Sequence, residues 1–205
     1  MSGAMALALL VSYLIGAIPT SYIVGRLARG IDLREHGSRN LGATNVYRTL
    51  GPAFAIPVGL FDMAKGAVPV LLIAPFASSS RYFALGCGIV AVLGHVYSVF
   101  VRFRGGKGVA TAAGVMLGLV PLAVVGTLLV WAVLVRLTGY VSVGSIVSAA
   151  LLPPLAWLLH PEDRDLVWVQ ALVAAAIIWL HRANIRRLLA GTENRFGRRA
   201  RGPAA

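Results

Sequence analysis

Long charge-free stretches set the rhythm of this chain. Seven apolar segments can be marked, running roughly over 4–25, 53–76, 82–100, 109–121, 122–136, 143–159 and 166–181. A membrane-spanning helix needs about 20 such residues. The fourth and fifth segments are therefore short, and a single span across 109–136 is the alternative. The placement of cations separates the two readings. With the N-terminus outside and seven spans, the inside loops hold Arg26, Arg29, Arg34, Arg39 and Arg48, then Arg102, Arg104 and Lys107, then Arg136. The inside tail adds Arg182, Arg186, Arg187, Arg195, Arg198, Arg199 and Arg201, so sixteen of the nineteen Lys and Arg share one side. Only Arg81 and Arg164 fall outside, and Lys65 lies within a span. Six spans would put Lys107 and Arg186 on opposite faces. The cytoplasmic bias of basic residues favours seven, and Pro121 after Gly118 marks the turn between the fourth and fifth. The expected fold is thus all-α, a polytopic integral membrane protein with seven transmembrane helices, N-terminus outside and C-terminus cytoplasmic.

Composition agrees. Of the 205 residues, 58% are hydrophobic and 13% charged, against about 45–50% and about 25% in a soluble domain. The residues form one domain, 1–205, with a basic tail over about 195–205 expected to rest on anionic lipid. The formal net charge of +12 sits in short loops rather than in a soluble domain, which argues against nucleic acid as a partner. Cys87, the only cysteine, lies in an apolar run and excludes intrachain disulfides and thiolate metal clusters. Met1 to Arg26 lacks the basic start and small-residue cleavage site of a signal peptide, so it reads as a retained first helix. Gly114-x-x-x-Gly118 has the spacing that lets membrane helices approach closely.

Three polar constellations interrupt the apolar pattern, and under seven spans all three fall on the cytoplasmic face. The first runs from His36 to Arg48. Its glycines leave backbone amides open to an anion, Ser38, Asn40, Thr44 and Asn45 add neutral hydrogen-bonding groups, and Arg48 is a forked donor suited to phosphate. The second is Arg102-Phe103-Arg104-Gly105-Gly106-Lys107-Gly108. It fails the Walker A pattern at Val101 and Gly108, so nucleotide hydrolysis is not indicated, but it suits an oxyanion at the start of a helix. The third is His181 to Leu188 followed by Gly191 to Asn194. His181 and Asn184 are three residues apart and share one helix face. Asp62 and Lys65 sit inside the second span, where charge is costly and marks either function or mutual pairing. Ser142 and Ser145 open the sixth span, capping it or facing the site. His95 lies near the end of the third span with no ligand cluster around it, and no metal is indicated.

At these residues the chain resembles the PlsY family of bacterial acyl-phosphate:glycerol-3-phosphate acyltransferases. Gly37-Ser38-x-Asn40-x-Gly42-Ala43-Thr44-Asn45-x-x-Arg48 is similar to the family's first motif, and Asp62-x-x-Lys65-Gly66 follows. His95 with Gly105-Gly106-Lys107-Gly108-Val109-Ala110-Thr111 is similar to the second, Ser142-x-x-Ser145 to its serine stretch, and His181-x-x-Asn184-Ile185-x-Arg187-Leu188 with Gly191-x-Glu193 to the third. Arg39 departs from the family's usual Gly and is left out of the core site. The resemblance implies acyl transfer from acyl phosphate to the sn-1 hydroxyl of glycerol 3-phosphate. That reaction gives 1-acylglycerol 3-phosphate and phosphate as the first step of phospholipid synthesis in a bacterial inner membrane. It needs no cofactor and no obligate protein partner.

On that footing Lys107, Ser38 and Ser145 hold acyl phosphate, and Arg48 holds glycerol 3-phosphate by its phosphate. His181 and Asn184 orient the glycerol hydroxyls. The base is either His181 or a donor phosphate oxygen. Asn40, Gly42, Thr44, Asn45, Gly105, Gly106 and Ser142 complete the substrate-binding set, and Glu193 joins it by holding its loop together. The rival readings are a small-anion transporter and a structural membrane protein with basic loops.

Overall fold

A chain this apolar has to satisfy its backbone hydrogen bonds internally, and helices do so within one segment. The computed structural model describes residues 2–196, and among them the regular elements are all helices, joined by turns and loops. The expected lipid anchor at Arg198, Arg199 and Arg201 lies outside them.

Helix α1 (Gly3–Ala17) starts at Ser2, whose hydroxyl accepts the Met5 amide at 3.3 Å. It breaks at Pro19, which has no N–H to donate, and resumes as α2 (Thr20–Arg29). Helix α3 (Ala43–Leu50) ends at Gly51, where φ is 92°. Pro52 then opens α4 (Pro52–Val68), and single turns of π and 3₁₀ geometry carry it to Phe76. Next come α5 (Arg81–Val96), α6 (Val109–Leu117), α7 (Pro121–Thr138) and α8 (Val141–Leu159). A 3₁₀ turn over Pro161–Leu166 leads into α9 (Val167–Leu180), and α10 (Arg182–Leu189) leaves it at a 55° bend.

Five helical stretches are long and apolar enough to cross a membrane: Gly3–Arg29, Pro52–Phe76, Arg81–Val101, Pro121–Thr138 and Val141–Leu159. The bent pair Pro161–Leu180 and Arg182–Leu189 makes a sixth. The expected fourth span is the exception. It forms only the nine-residue α6, about 13 Å long at 1.5 Å per residue. The single span across 109–136 is also not formed, because the helix stops between Leu117 and Pro121.

Packing is set by small residues. Helices α1 and α5, α4 and α6, and α7, α8 and α9 lie against each other. The α4–α6 crossing is the tightest. A Cβ on Gly114 would fall 1.8 Å from the Met63 carbonyl oxygen, and one on Gly66 would fall 2.0 Å from that of Thr111. No side chain fits at either place, which bears out the packing role read for Gly114.

Asp62 and Lys65 settle as partners. Lys65 Nζ lies 2.7 Å from Asp62 Oδ1, with the two residues 3% and 2% exposed. Lys65 also donates to the Ile18 carbonyl at 2.9 Å, and Thr20 Oγ1 donates to Asp62 at 3.1 Å. The pair therefore staples α4 to the break between α1 and α2 through the Ile18 carbonyl. Removing one partner strands a buried charge, at a cost of about 3–5 kcal/mol. Lys65→Met is expected to lower the melting temperature in detergent markedly. The double variant Asp62→Asn/Lys65→Met should recover part of the loss, and a double variant as unstable as the summed singles would contradict the pairing.

Candidate active site

The three polar constellations close on one cavity of about 640 Å³. Each reaches it by a different local device.

Residues 31–42 form the first wall. Asp32 anchors this loop by accepting from Arg34 Nη2 at 2.6 Å, and those hydrogen bonds to Arg34 hold its carboxyl down at about 2. Asn45, fully buried, is the bracket: its Oδ1 accepts the Ser38 amide at 2.8 Å, and its Nδ2 donates to the Leu33 and His36 carbonyls at 3.0 Å each. Gly37 sits at φ 59°, with its missing Cβ only 2.3 Å from Asn45 Oδ1. So Asn45 lines the cavity but its side chain is already occupied; it holds Ser38 in place instead of offering donors. Ser38, Asn40, Gly42 and Thr44 line the wall, as does Arg39, in left-handed geometry at φ 57°. At the start of α3 the Ala43 and Thr44 amides precede the first helical hydrogen bonds, which run from Asn45 and Val46 to the Gly42 carbonyl. Arg48 donates through Nη2 to the Asn194 carbonyl at 3.2 Å, while its buried Nε has no partner. Burial pulls its pKa down.

The second loop departs from the expected anion cradle. The amides of Gly105 and Gly106 donate to the Val96 and His95 carbonyls at 3.0 and 3.2 Å, and neither residue lines the main cavity. A Cβ on Gly105 would meet the His95 oxygen at 1.9 Å. These glycines seat the loop on the end of α5. Their effect is to aim Lys107, whose ammonium contacts Asn184 Oδ1. Burial lowers the Lys107 pKa to about 8, against the opposing pull of the Glu193 charge. His95 also lines the cavity, with its Nδ1 unpartnered and 3.8 Å from Asp62.

The third segment supplies the organiser. Gly191, at φ 67°, turns the chain back so that Glu193 lies beside α10. Glu193 Oε1 accepts from Asn184 Nδ2 at 2.6 Å and from Ser142 Oγ at 3.0 Å, and Oε2 accepts from Arg187 Nε at 2.7 Å. Burial works to raise the Glu193 pKa, but the bonds from Asn184, Arg187 and Ser142 bring it below the ordinary value. Three cations, Arg48, Lys107 and Arg187, thus surround one carboxylate. Arg187 is missing from the sequence-derived site set, although its spacing from Asn184 puts it on the same helix face.

His181 Nδ1 lies 2.8 Å from the Ile177 carbonyl. A carbonyl only accepts, so Nδ1 carries the hydrogen and Nε2 keeps a lone pair. Ser145 donates to the Val141 carbonyl at 2.9 Å and accepts from Trp131 Nε1 at 3.3 Å. Beyond this polar end the walls turn apolar, with Leu128 and Trp131 of α7, Leu152 of α8 and Val173 of α9. Among the described residues one trio of metal-type ligands falls within mutual reach: His160, Glu162 and Asp163, between α8 and α9. Arg81 already pairs with Asp163 there, and the group acts as a clasp between that turn and α5.

A family model described as glycerol-3-phosphate acyltransferase matches residues 6–191. The chain belongs to the glycerol-3-phosphate acyltransferase family. Members from Geobacter sulfurreducens and Chlorobaculum parvum are 48% and 42% identical, covering 91% and 93% of this chain and 94% and 96% of their own length. One from Deinococcus radiodurans is 48% identical over 93% of this chain and 95% of its own. The crystal structure of PlsY, an integral membrane glycerol 3-phosphate acyltransferase in its glycerol 3-phosphate form, superposes with a TM-score of 0.88 at 36% identity, covering 95% of this chain and 96% of that one. Its lysophosphatidic acid form gives 0.86 at 35%.

The protonation of Lys107 yields a test. If turnover needs the ammonium, kcat/KM falls as pH rises through about 8. The Glu193 charge helps hold that proton, so Glu193→Gln should move the descending limb to lower pH. An unchanged limb would separate Lys107 from the pH dependence.

Proposed function

We propose that this acyltransferase moves a fatty acyl group from acyl phosphate to the sn-1 hydroxyl of glycerol 3-phosphate, releasing 1-acylglycerol 3-phosphate and phosphate. The observation that carries the reading is the cavity itself. Three cations around one carboxylate leave positive charge for two phosphate groups at one end, and the apolar walls beyond suit an acyl chain.

In this reading Lys107 and Ser38 hold the acyl phosphate, with Ser145 beside them. Arg48, which lines the cavity, takes the phosphate of glycerol 3-phosphate. Asn40, Thr44 and the start of α3 at Gly42 line the same pocket. Ser142 and Glu193 act from behind, by fixing Asn184 and Arg187. The glycerol oxygen attacks the acyl carbonyl carbon, and the bond from that carbon to the phosphate oxygen breaks. Lys107 stabilises charge gathering on the leaving phosphate. His181 Nε2 is placed to accept the hydroxyl hydrogen, and an oxygen of the departing phosphate is the other acceptor. The enzyme's main contribution is alignment of an alcohol with an already activated acyl group.

The same reading keeps the chain as one domain over 1–205, with seven crossings, the N-terminus outside and the site cytoplasmic in a bacterial inner membrane. Lys107 touches Asn184, and two residues in contact lie at one face, so an even number of crossings separates them. Helices α7, α8 and α9 account for three; α6, short as it is, supports the fourth crossing with the turn that follows it. Arg26, Arg29, Arg102, Arg104 and Arg136 would then crowd the same face as Lys107, the arrangement expected of the cytoplasmic side. A small-anion transporter gains no support, since the free cations gather at one end of the cavity and Asp62 and Lys65 bind each other.

Purified protein given radioactive acyl phosphate and glycerol 3-phosphate should place label in lysophosphatidate, and acyl-CoA in parallel should not. Transfer from acyl-CoA alone would overturn the donor. Lys107→Ala should cut kcat by about 100-fold or more, as loss of a charge-stabilising donor does. Arg48→Ala should raise KM for glycerol 3-phosphate about tenfold or more, the scale of a lost charged hydrogen bond. An unchanged KM would remove Arg48 from that substrate.

A further inference from the structure

Residues 194–196 lie beyond the part of the chain that matches the family model, which stops at residue 191. They form a strap between the two halves of the molecule. The Asn194 carbonyl accepts from Arg48 Nη2 at 3.2 Å, across 146 positions of sequence. Arg195 Nε donates to Tyr140 Oη at 3.1 Å, and its guanidinium lies over the Tyr140 ring at 5.2 Å. The Phe196 amide donates to the Gly139 carbonyl at 2.6 Å. The Phe196 ring stacks on Tyr47, with centroids 4.2 Å apart and planes 20° from parallel. Tyr47 and Phe196 both line the cavity. The strap therefore ties α3 to the α7–α8 turn beside the phosphate-binding end.

Tyr47 and Arg48 are consecutive in α3, and Asn194 and Phe196 are two residues apart, so the stack and the hydrogen bond hold the same two short stretches of chain together. Arg48 is anchored at Nη2 by the strap while its buried Nε has no acceptor. A long side chain with one end fixed gives up its rotamer freedom before substrate arrives, which lowers the entropy cost of binding. We propose that Phe196 is a positioning residue for Arg48: its stack on Tyr47 keeps the Asn194 carbonyl where it fixes one side of the guanidinium, leaving the rest of that group to meet a substrate phosphate. This rests on Arg48 as the holder of the glycerol 3-phosphate phosphate. Lys107, on the donor side, is held through Asn184 and Glu193, contacts that do not pass through residues 194–196.

The test is steady-state kinetics of purified full-length protein with acyl phosphate and glycerol 3-phosphate. Phe196→Ala should raise KM for glycerol 3-phosphate about two- to tenfold, the scale of a lost aromatic pair, with kcat and KM for acyl phosphate little changed. Phe196→Tyr should restore wild-type values. In an Arg48→Ala background, Phe196→Ala should add nothing, since residues acting through one another are not additive. If Arg48→Ala raises KM for glycerol 3-phosphate and Phe196→Ala does not, the positioning role is overturned while the functional reading stands. If both variants instead raise KM for acyl phosphate, the positioning role survives and the substrate assigned to Arg48 is wrong. A fall in kcat and melting temperature with both KM values unchanged would mark a merely structural contact and overturn the proposal.

Discussion

One buried carboxylate organises the site. Glu193 accepts hydrogen bonds from Ser142, Asn184 and Arg187, three residues from two helices. Asn184 in turn contacts Lys107, 77 positions before it, so the order imposed by Glu193 reaches that loop. An anion is needed here because Arg48, Lys107 and Arg187 would otherwise repel each other in a partly desolvated pocket. It neutralises only one of the three. The remaining positive charge is poised for phosphate, and the neutral hydroxyls and amides around it set geometry without adding repulsion.

The membrane makes such an arrangement affordable in a chain of this size. Helices satisfy their own backbone, and small residues at the α4–α6 crossing let a short helix pack deep among longer ones. Polar loops are then confined to the ends of the bundle. The staple between Asp62, Lys65 and the break near Pro19 lies behind the loop that carries Lys107, alongside Gly105, Gly106 and His95. Stability and cavity geometry are thereby joined: the ion pair that holds α1, α2 and α4 together also backs the seat of Lys107.

Much of this was legible in sequence because it depends on residue type and on distance along the chain. The apolar runs announced the helices, and polar residues at their ends announced where chemistry gathers. Lys107, Asn184, Ser142 and Arg48 were nameable on that ground as polar groups near one face, and all four line the cavity. What resisted reading depends on three-dimensional neighbours. Glycine serves equally for an open amide or for close approach, and only the 1.9 Å gap at Gly105 decides for packing. Asn45 looks like a ligand residue until its three partners are seen. The stack of Phe196 on Tyr47 joins residues remote in sequence and carries no local signal. Nine residues of α6 fall short of the span that the apolar pattern suggested, since the pattern records lipid preference and not where a helix must end.

The claim on which the rest turns is that the Lys107 loop and the α10 segment meet. It can be measured by joining them. In a Cys87→Ser background, Lys107→Cys combined with Asn184→Cys should form an intrachain disulfide under mild oxidation in native membranes, and glycerol 3-phosphate should slow it. Failure of that pair to cross-link, with the two positions labelled from opposite sides of the membrane, would contradict a shared site.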